Sequence, residues 1–160
     1  MGTKKYRLTG NHINIGNRIL YQIEALKDFG DVKAGDLGGY IESEENLSQY
    51  DNAWVFDNAR VYGNACVFDN ARVYGNACVF GDAQIKSARD YIVFKNWWSS
   101  GRYFTWTRSN NMWKVGCFYG TGEELIKKAY NDSEISGREY ERIVRYVEEI
   151  LEDNYGNKED

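Results

Sequence analysis

The sequence predicts a mainly β protein: a short repetitive coil of β-segments, a β-rich cap before it and a small α+β module after it. Three observations predict this. Residues 57–68 read DNARVYGNACVF and residues 69–80 repeat the same twelve letters, so the middle of the chain is periodic. Proline is absent from all 160 residues, so Gly, Asn, Asp and Ser must supply the turns. After Ala88 the repeat stops, and the composition shifts to tryptophan, tyrosine and phenylalanine interspersed with lysine and arginine.

The periodic unit is six residues long: DNAWVF from Asp51, DNARVY from Asp57, GNACVF from Gly63, the same pair again, and a fading GDAQIK from Gly81. Val55, Val61, Val67, Val73, Val79 and Ile85 share one position, and Ala53, Ala59, Ala65, Ala71, Ala77 and Ala83 share another. A period of six fits neither an α-helix nor an amphipathic strand. It fits a short β-segment with Val and Ala inside, followed by a bend made by Gly or Asp with Asn, residues that tolerate unusual φ/ψ. The pattern resembles the hexapeptide repeat of left-handed parallel β-helices, in which three hexads make one triangular coil. That resemblance implies nearly three coils over residues 37–88, stacked ~4.8 Å apart, with residues eighteen apart in contact. Val55 is then expected on Val73, Asn52 on Asn70 and Asn58 on Asn76. Carried backwards, the phase puts Leu37 in the valine column, and Ile41 and Leu47 in the alanine column.

The aromatics that follow the valines (Phe56, Tyr62, Phe68, Tyr74 and Phe80) are expected to point outward. Stacking pairs Phe56 with Tyr74, Tyr62 with Phe80, and Tyr50 with Phe68. Such patches are seldom bare. Either the chain's own terminal segments or an identical subunit covers them, or one face receives a foreign partner.

Residues 1–36 are expected to cap the first coil, with KYRLT and ILYQIEAL as strands and GNHINIGN as the turn between them. In residues 89–160, YIVFKNWW, GRYFTWTR and MWKVGCFYG read as three strands, with a turn at Ser109-Asn110-Asn111. Thr121-Gly122-Glu123-Glu124 and Ser136-Gly137-Arg138-Glu139 have capping-box form and predict two helices. In the second, Tyr140, Ile143, Val144, Val147, Ile150 and Leu151 recur at helical spacing and mark a buried face. DNYGNKED is expected to be a frayed tail.

Charge is distributed unevenly. The net charge is −4, yet residues 91–121 hold Lys95, Arg102, Arg108 and Lys114 with ten aromatics and no acid, between two acidic stretches. This composition fits a platform that stacks single-stranded nucleic acid or a nucleotide, with Trp97, Trp98, Arg102, Trp106 and Arg108 as the contacts. It equally fits a strand core whose rim is covered by long cations. Cys66, Cys78 and Cys117 are odd in number and match no disulfide framework, and with His12 they match no zinc spacing. No apolar run approaches a membrane span, and the chain reads as a protein of a reducing cytoplasm. Many left-handed β-helix proteins are acyltransferases that use a histidine in a cleft between subunits. Here the one histidine, His12, lies upstream of the repeat, so no catalytic residue, metal or cofactor is expected.

DLGGYIESEENLS followed by NAWV and NARVYGNA resembles a group of phage and prophage hexapeptide-repeat proteins, most of them uncharacterised. The resemblance, with the acidic balance, implies a non-catalytic binding protein of the host bacterial cell. The expected activity is inhibition of a host defence complex, such as a CRISPR effector or another protein or ribonucleoprotein assembly. Phe56, Tyr62, Tyr74 and Phe80, with Asp51, Asp57, Asp69 and Asp82, are its expected contacts. The alternatives are a small-molecule or nucleotide sponge related to acyltransferases, with ligand between subunits of a homo-oligomer, and a structural module that self-associates. Direct nucleic-acid binding ranks below a protein or ribonucleoprotein partner, and no membrane partner is expected.

Overall fold

In the computed structural model, which describes residues 4–153, the Gly/Asp column of the repeat is where the chain bends. Asp51, Asp57 and Asp69 have φ of 56–57°, while Gly63, Gly75 and Gly81 have φ of 66–75°. This left-handed conformation costs glycine nothing, and a short polar side chain tolerates it better than other residues do. Between the bends lie six two-residue strands: β4 (Trp54–Val55), β5 (Arg60–Val61), β6 (Cys66–Val67), β7 (Arg72–Val73), β8 (Cys78–Val79) and β9 (Gln84–Ile85).

These strands pair in parallel, β4 with β7, β5 with β8 and β6 with β9, and each pairing joins residues eighteen apart. The chain thus returns to the same ladder after every three hexads. The repeated Val and Ala side chains, with Ile85, are at most 1% exposed and form a continuous core. Phe56 stacks on Tyr74 with ring centroids 4.6 Å apart, and the Asn52 N–H donates to Asn70 Oδ1 at 3.1 Å.

The sequence phase fails upstream of Ala53. Ile41 pairs with Val61 and Leu47 with Val67, twenty residues away in each case. Both therefore belong to the valine column, and two extra residues lie between Leu47 and Ala53. Buried Lys5 holds this irregular corner: its Nζ donates to the carbonyls of Tyr50, Asp51 and Ala53, the last at 2.6 Å. Gln49 Oε1 accepts from the Lys5 and Tyr6 N–H groups beside it. Tyr50 is displaced into the bulge, 79% exposed, and takes no place on Phe68. Leu37 faces outward at 56% exposure and pairs with Glu24 instead.

Ahead of the repeat, β1 (Tyr6–Ile15) and β2 (Arg18–Ala25) form an antiparallel hairpin around Gly16-Asn17. The segment GNHINI, expected as a turn, is strand that continues past an irregularity between Leu8 and His12. β3 (Leu37–Ile41) lies antiparallel to β2 and parallel to β5, so one sheet runs β1-β2-β3-β5-β8. The crossing is close: a Cβ on Gly38 would lie 2.5 Å from the Val55 carbonyl oxygen, and one on Gly39 as near that of Ala59.

After Ala88 the chain forms a four-stranded antiparallel sheet of β10 (Tyr91–Lys95), β11 (Tyr103–Thr107), β12 (Met112–Val115) and β13 (Phe118–Gly120). The segment expected as one strand, MWKVGCFYG, is two, because Gly116 at φ 56° turns the chain back on itself. Helices α1 (Gly122–Asp132) and α2 (Glu134–Asp153) close a second core around Phe104, Trp106, Trp113 and Val144. Thr121 Oγ1 accepts from the Glu124 N–H and caps α1. α2 opens at Glu134, before the Ser136 motif; Ser133 Oγ, accepting from the Ser136 N–H, occupies the capping position, so the apparent capping box lies inside the helix.

The sheet meets the outer edge of the repeat through hydroxyl groups. The Cys78 N–H donates to Thr105 Oγ1 and the Gln84 N–H to Ser109 Oγ, each at 2.8 Å, and the Tyr74 N–H donates to Tyr91 Oη. One unpaired backbone donor at each of β7, β8 and β9 is thereby satisfied, which is how a parallel stack avoids an open edge. No helix among the described residues is long and apolar enough to cross a membrane.

Candidate anion-binding cleft

Where β11 and β12 approach the β5–β8 ladder, a cleft of about 260 Å³ remains open. Its coil-side wall follows from the repeat. Arg60 and Cys78 occupy the variable position of two hexads and pair directly across the ladder, and Asn58 and Asn76 precede them at one corner. Tyr62 follows Arg60. The opposite wall carries Arg102 and Tyr103 at the start of β11, Lys114 on β12 and Gly116 at the turn, with Ile15 reaching in from the hairpin tip. The Cys78–Thr105 hydrogen bond fixes the gap, and Thr105 pairs with Lys114 in the sheet, which places that cation beside the fastening.

Among the described residues, no carboxylate lines this cleft. Five arginines elsewhere are paired: Arg7 with Glu24, Arg18 with Glu42, Arg72 with Asp31, Arg142 with Glu139, and Arg145 with Glu123, Glu141 and Glu148. Among the described residues, Arg60, Arg102 and Lys114 form no ion pair. The Lys114 ammonium lies 5.1 Å from the Phe80 ring centroid, a contact that leaves its charge uncompensated. Gly116 holds φ at 56°, which favours glycine, and a Cβ there would displace the Arg102 guanidinium.

The neutral groups of the cleft stay neutral. Burial pushes the Tyr62 phenol well above its ordinary value, and the neighbouring Cys78 adds to that shift. Burial likewise raises the Cys78 thiol, opposed by its hydrogen bond to Tyr62 and by the charges of Lys114 and Arg60. Cys78 Sγ lies 3.6 Å from Tyr62 Oη. The charge of the cleft is therefore that of its three cations, with amide and phenol donors between them. Such a set recognises an anion with several oxygens.

A shallower hollow of about 610 Å³ adjoins it, walled by Tyr74, Tyr91, Ile92 and Tyr103. Asn76 and Tyr103 line both, so the cationic and aromatic hollows lie side by side.

Of the contact residues singled out in the sequence, the structure brings Arg102 and Tyr62 to this cleft. Trp106 is 1% exposed, with Nε1 donating to Asn111 Oδ1, so its face is unavailable for stacking. Trp98 packs edge-on against Tyr140 and donates to Ser136 Oγ. Trp97 is 71% exposed, and Arg108 is half-buried with its N–H donating to the Asp90 carbonyl. Tyr62 lies only 2% exposed under Phe80 and the Arg18 guanidinium, and Phe80 in turn meets Tyr119; this aromatic pair is thus covered by the chain's own hairpin and sheet. Phe56 is half-buried, and Tyr74 remains 43% exposed. Asp51, Asp57 and Asp69 are exposed corner residues, and Asp82 accepts from Asn110 Nδ2. His12 lies exposed on β1. Sequence reasoning stacked Asn58 on Asn76 and counted Lys114 in the basic stretch, but it named neither these nor Arg60 and Tyr103 as contacts. The same eighteen-residue stacking could have placed Arg60 on Cys78, but nothing in the sequence announces the wall opposite them.

No family model matches the chain. A stretch of 41 residues, 26% of the chain, is 49% identical to the uncharacterized acetyltransferase YdcK of Escherichia coli K12. The chain spans 13% of that relative's length, a partial match compatible with a hexapeptide-repeat protein.

Proposed function

We propose that the chain is a non-catalytic binding protein, built on a short left-handed parallel β-helix, whose ligand is an anion seated between the coil and the C-terminal sheet. The observation that carries this is the convergence of Arg60, Arg102 and Lys114, all unpaired, in a chain of net charge −4. Three cations facing one cleft repel each other, and an anion between them removes that repulsion. The test is thermal unfolding with inorganic pyrophosphate against chloride at equal ionic strength. A ligand at about 100 times its Kd stabilises by roughly 2.7 kcal/mol. A pyrophosphate-dependent rise in Tm that disappears in Arg60→Ala/Lys114→Ala supports the proposal. No rise, or an equal rise in the double variant, sinks it.

A second reading keeps the chain as an inhibitor of a phage host's defence complex, such as a CRISPR effector. It is supported by the exposed Tyr74 over Phe56 and by Asp51 and Asp69 standing eighteen residues apart on one corner of the coil. There the partner is a basic protein surface. Retention of such a complex by the wild-type chain and its loss with Tyr74→Ser distinguish this reading; retention that ignores both Tyr74 and the aspartates overturns it.

A further inference from the structure

We infer that the anion is the phosphate part of a nucleotide, whose base lies in the adjoining aromatic hollow. The inference rests on the anion-binding reading and adds to it the identity of the ligand's other half. The carrying observation is adjacency: Asn76 and Tyr103 line both hollows, so a molecule gripped by the cations reaches the second by passing Tyr103. A free inorganic anion would occupy the first and leave the second to water.

The second hollow has the chemistry of a planar, weakly polar group. Tyr103 is 45% exposed and Tyr74 43%, and Tyr91 is half-buried with its hydroxyl committed to the Tyr74 N–H and the Arg72 carbonyl. That double hydrogen bond fixes the Tyr91 ring, so the wall is already ordered before ligand arrives. Aromatic faces of this kind stack nucleobases with little preference among them, because every base has a π-face. Asn76 stands where the two hollows meet and carries both a donor and an acceptor, which suits a sugar hydroxyl or a base edge. Among the described residues, no acid lines either hollow to repel the phosphates.

The cleft of about 260 Å³ and the hollow of about 610 Å³ together have room for one nucleotide. A single strand is the competing ligand that the aromatic composition suggests, and the experiment separates the two.

The experiment is isothermal titration of the full chain with three probes: inorganic pyrophosphate, each of the four ribonucleoside triphosphates, and a twelve-nucleotide single strand. At least one triphosphate is expected to bind ten-fold or more tightly than pyrophosphate. Tyr103→Leu, at an exposed position lining both hollows, is expected to weaken that triphosphate by a larger factor than it weakens pyrophosphate. Arg60→Ala/Lys114→Ala is expected to weaken both. Pyrophosphate binding with no triphosphate any tighter overturns the nucleotide inference and leaves the anion reading intact. Binding of neither overturns both. A single strand held more tightly than every triphosphate, with Tyr103→Leu without effect on the triphosphates, also overturns the inference.

Discussion

At the scale of single residues, the corners and Lys5 make opposite demands. At the corner begun by Asp69, φ is 57°, a conformation that costs most L-residues about 1–2 kcal/mol. Asp69→Ala is therefore expected to lower stability by about 1 kcal/mol, and Asp69→Gly to leave it unchanged or improve it. Urea denaturation of the two variants checks the ordering, which reverses the usual preference for Ala over Gly. Lys5 instead serves three carbonyls at the irregular corner, and burial pushes its pKa down to about 8, with Asp51 pulling the other way. Lys5→Met is expected to cost about 2–3 kcal/mol, because those acceptors lose their donor. The pH dependence has a definite sign. An unfolded lysine titrates near ~10.4, so between about pH 8 and that value the unfolded chain binds a proton the folded chain has released. Wild-type stability relative to Lys5→Met is expected to rise with pH across this window. A flat difference between the two denaturation curves would contradict it.

Among the elements, the hydroxyl contacts between sheet and coil carry the sharpest prediction. Thr105 and Ser109 satisfy backbone donors at the outer edges of β8 and β9. Thr105→Val keeps the shape and removes the acceptor, so it is expected to cost about 1 kcal/mol and, with Ser109→Ala, to promote concentration-dependent association through the freed edges. Sedimentation of the double variant at several concentrations checks this; a monomer mass at all of them refutes it. The same elements show how much was legible in advance. The hexad gave the eighteen-residue ladders and the aromatic stack of Phe56 on Tyr74, because both follow from a local period. The twenty-residue offset at Ile41 and Leu47 was not legible, because a lysine more than forty positions upstream holds it in place. The two helices were visible in their periodicity, but the true cap at Ser133 was masked by a better-looking motif three residues later.

On the scale of the whole molecule, the candidate site belongs to no single segment. Asn58, Arg60 and Cys78 come from the repeat, Arg102, Tyr103 and Lys114 from the sheet, and Ile15 from the hairpin. The sequence shows a basic aromatic stretch and locates one of the cations that matter, Arg102. It hides the rest because Arg60 looks like any variable position of the repeat, and its importance arises only when a second layer is laid over it. The tryptophans that draw the eye in the sequence are mostly used as core: Trp54, Trp106 and Trp113 are each 1% exposed.

Because the lid over the coil is pinned to three particular ladders, the length of the array can change only in whole circuits. Inserting one more circuit, a copy of residues 63–80, puts each new edge strand in the place of the old one and presents the same backbone donors to Thr105, Ser109 and Tyr91. Inserting a single hexad, though chemically identical to its neighbours, rotates the end by one side of the coil and offers each hydroxyl the wrong strand. The eighteen-residue insertion is expected to fold with an undiminished Tm, and the six-residue insertion to lose cooperativity. The molecule thus counts in threes: its size is quantised by the fit of its end, although the repeat itself is built in sixes.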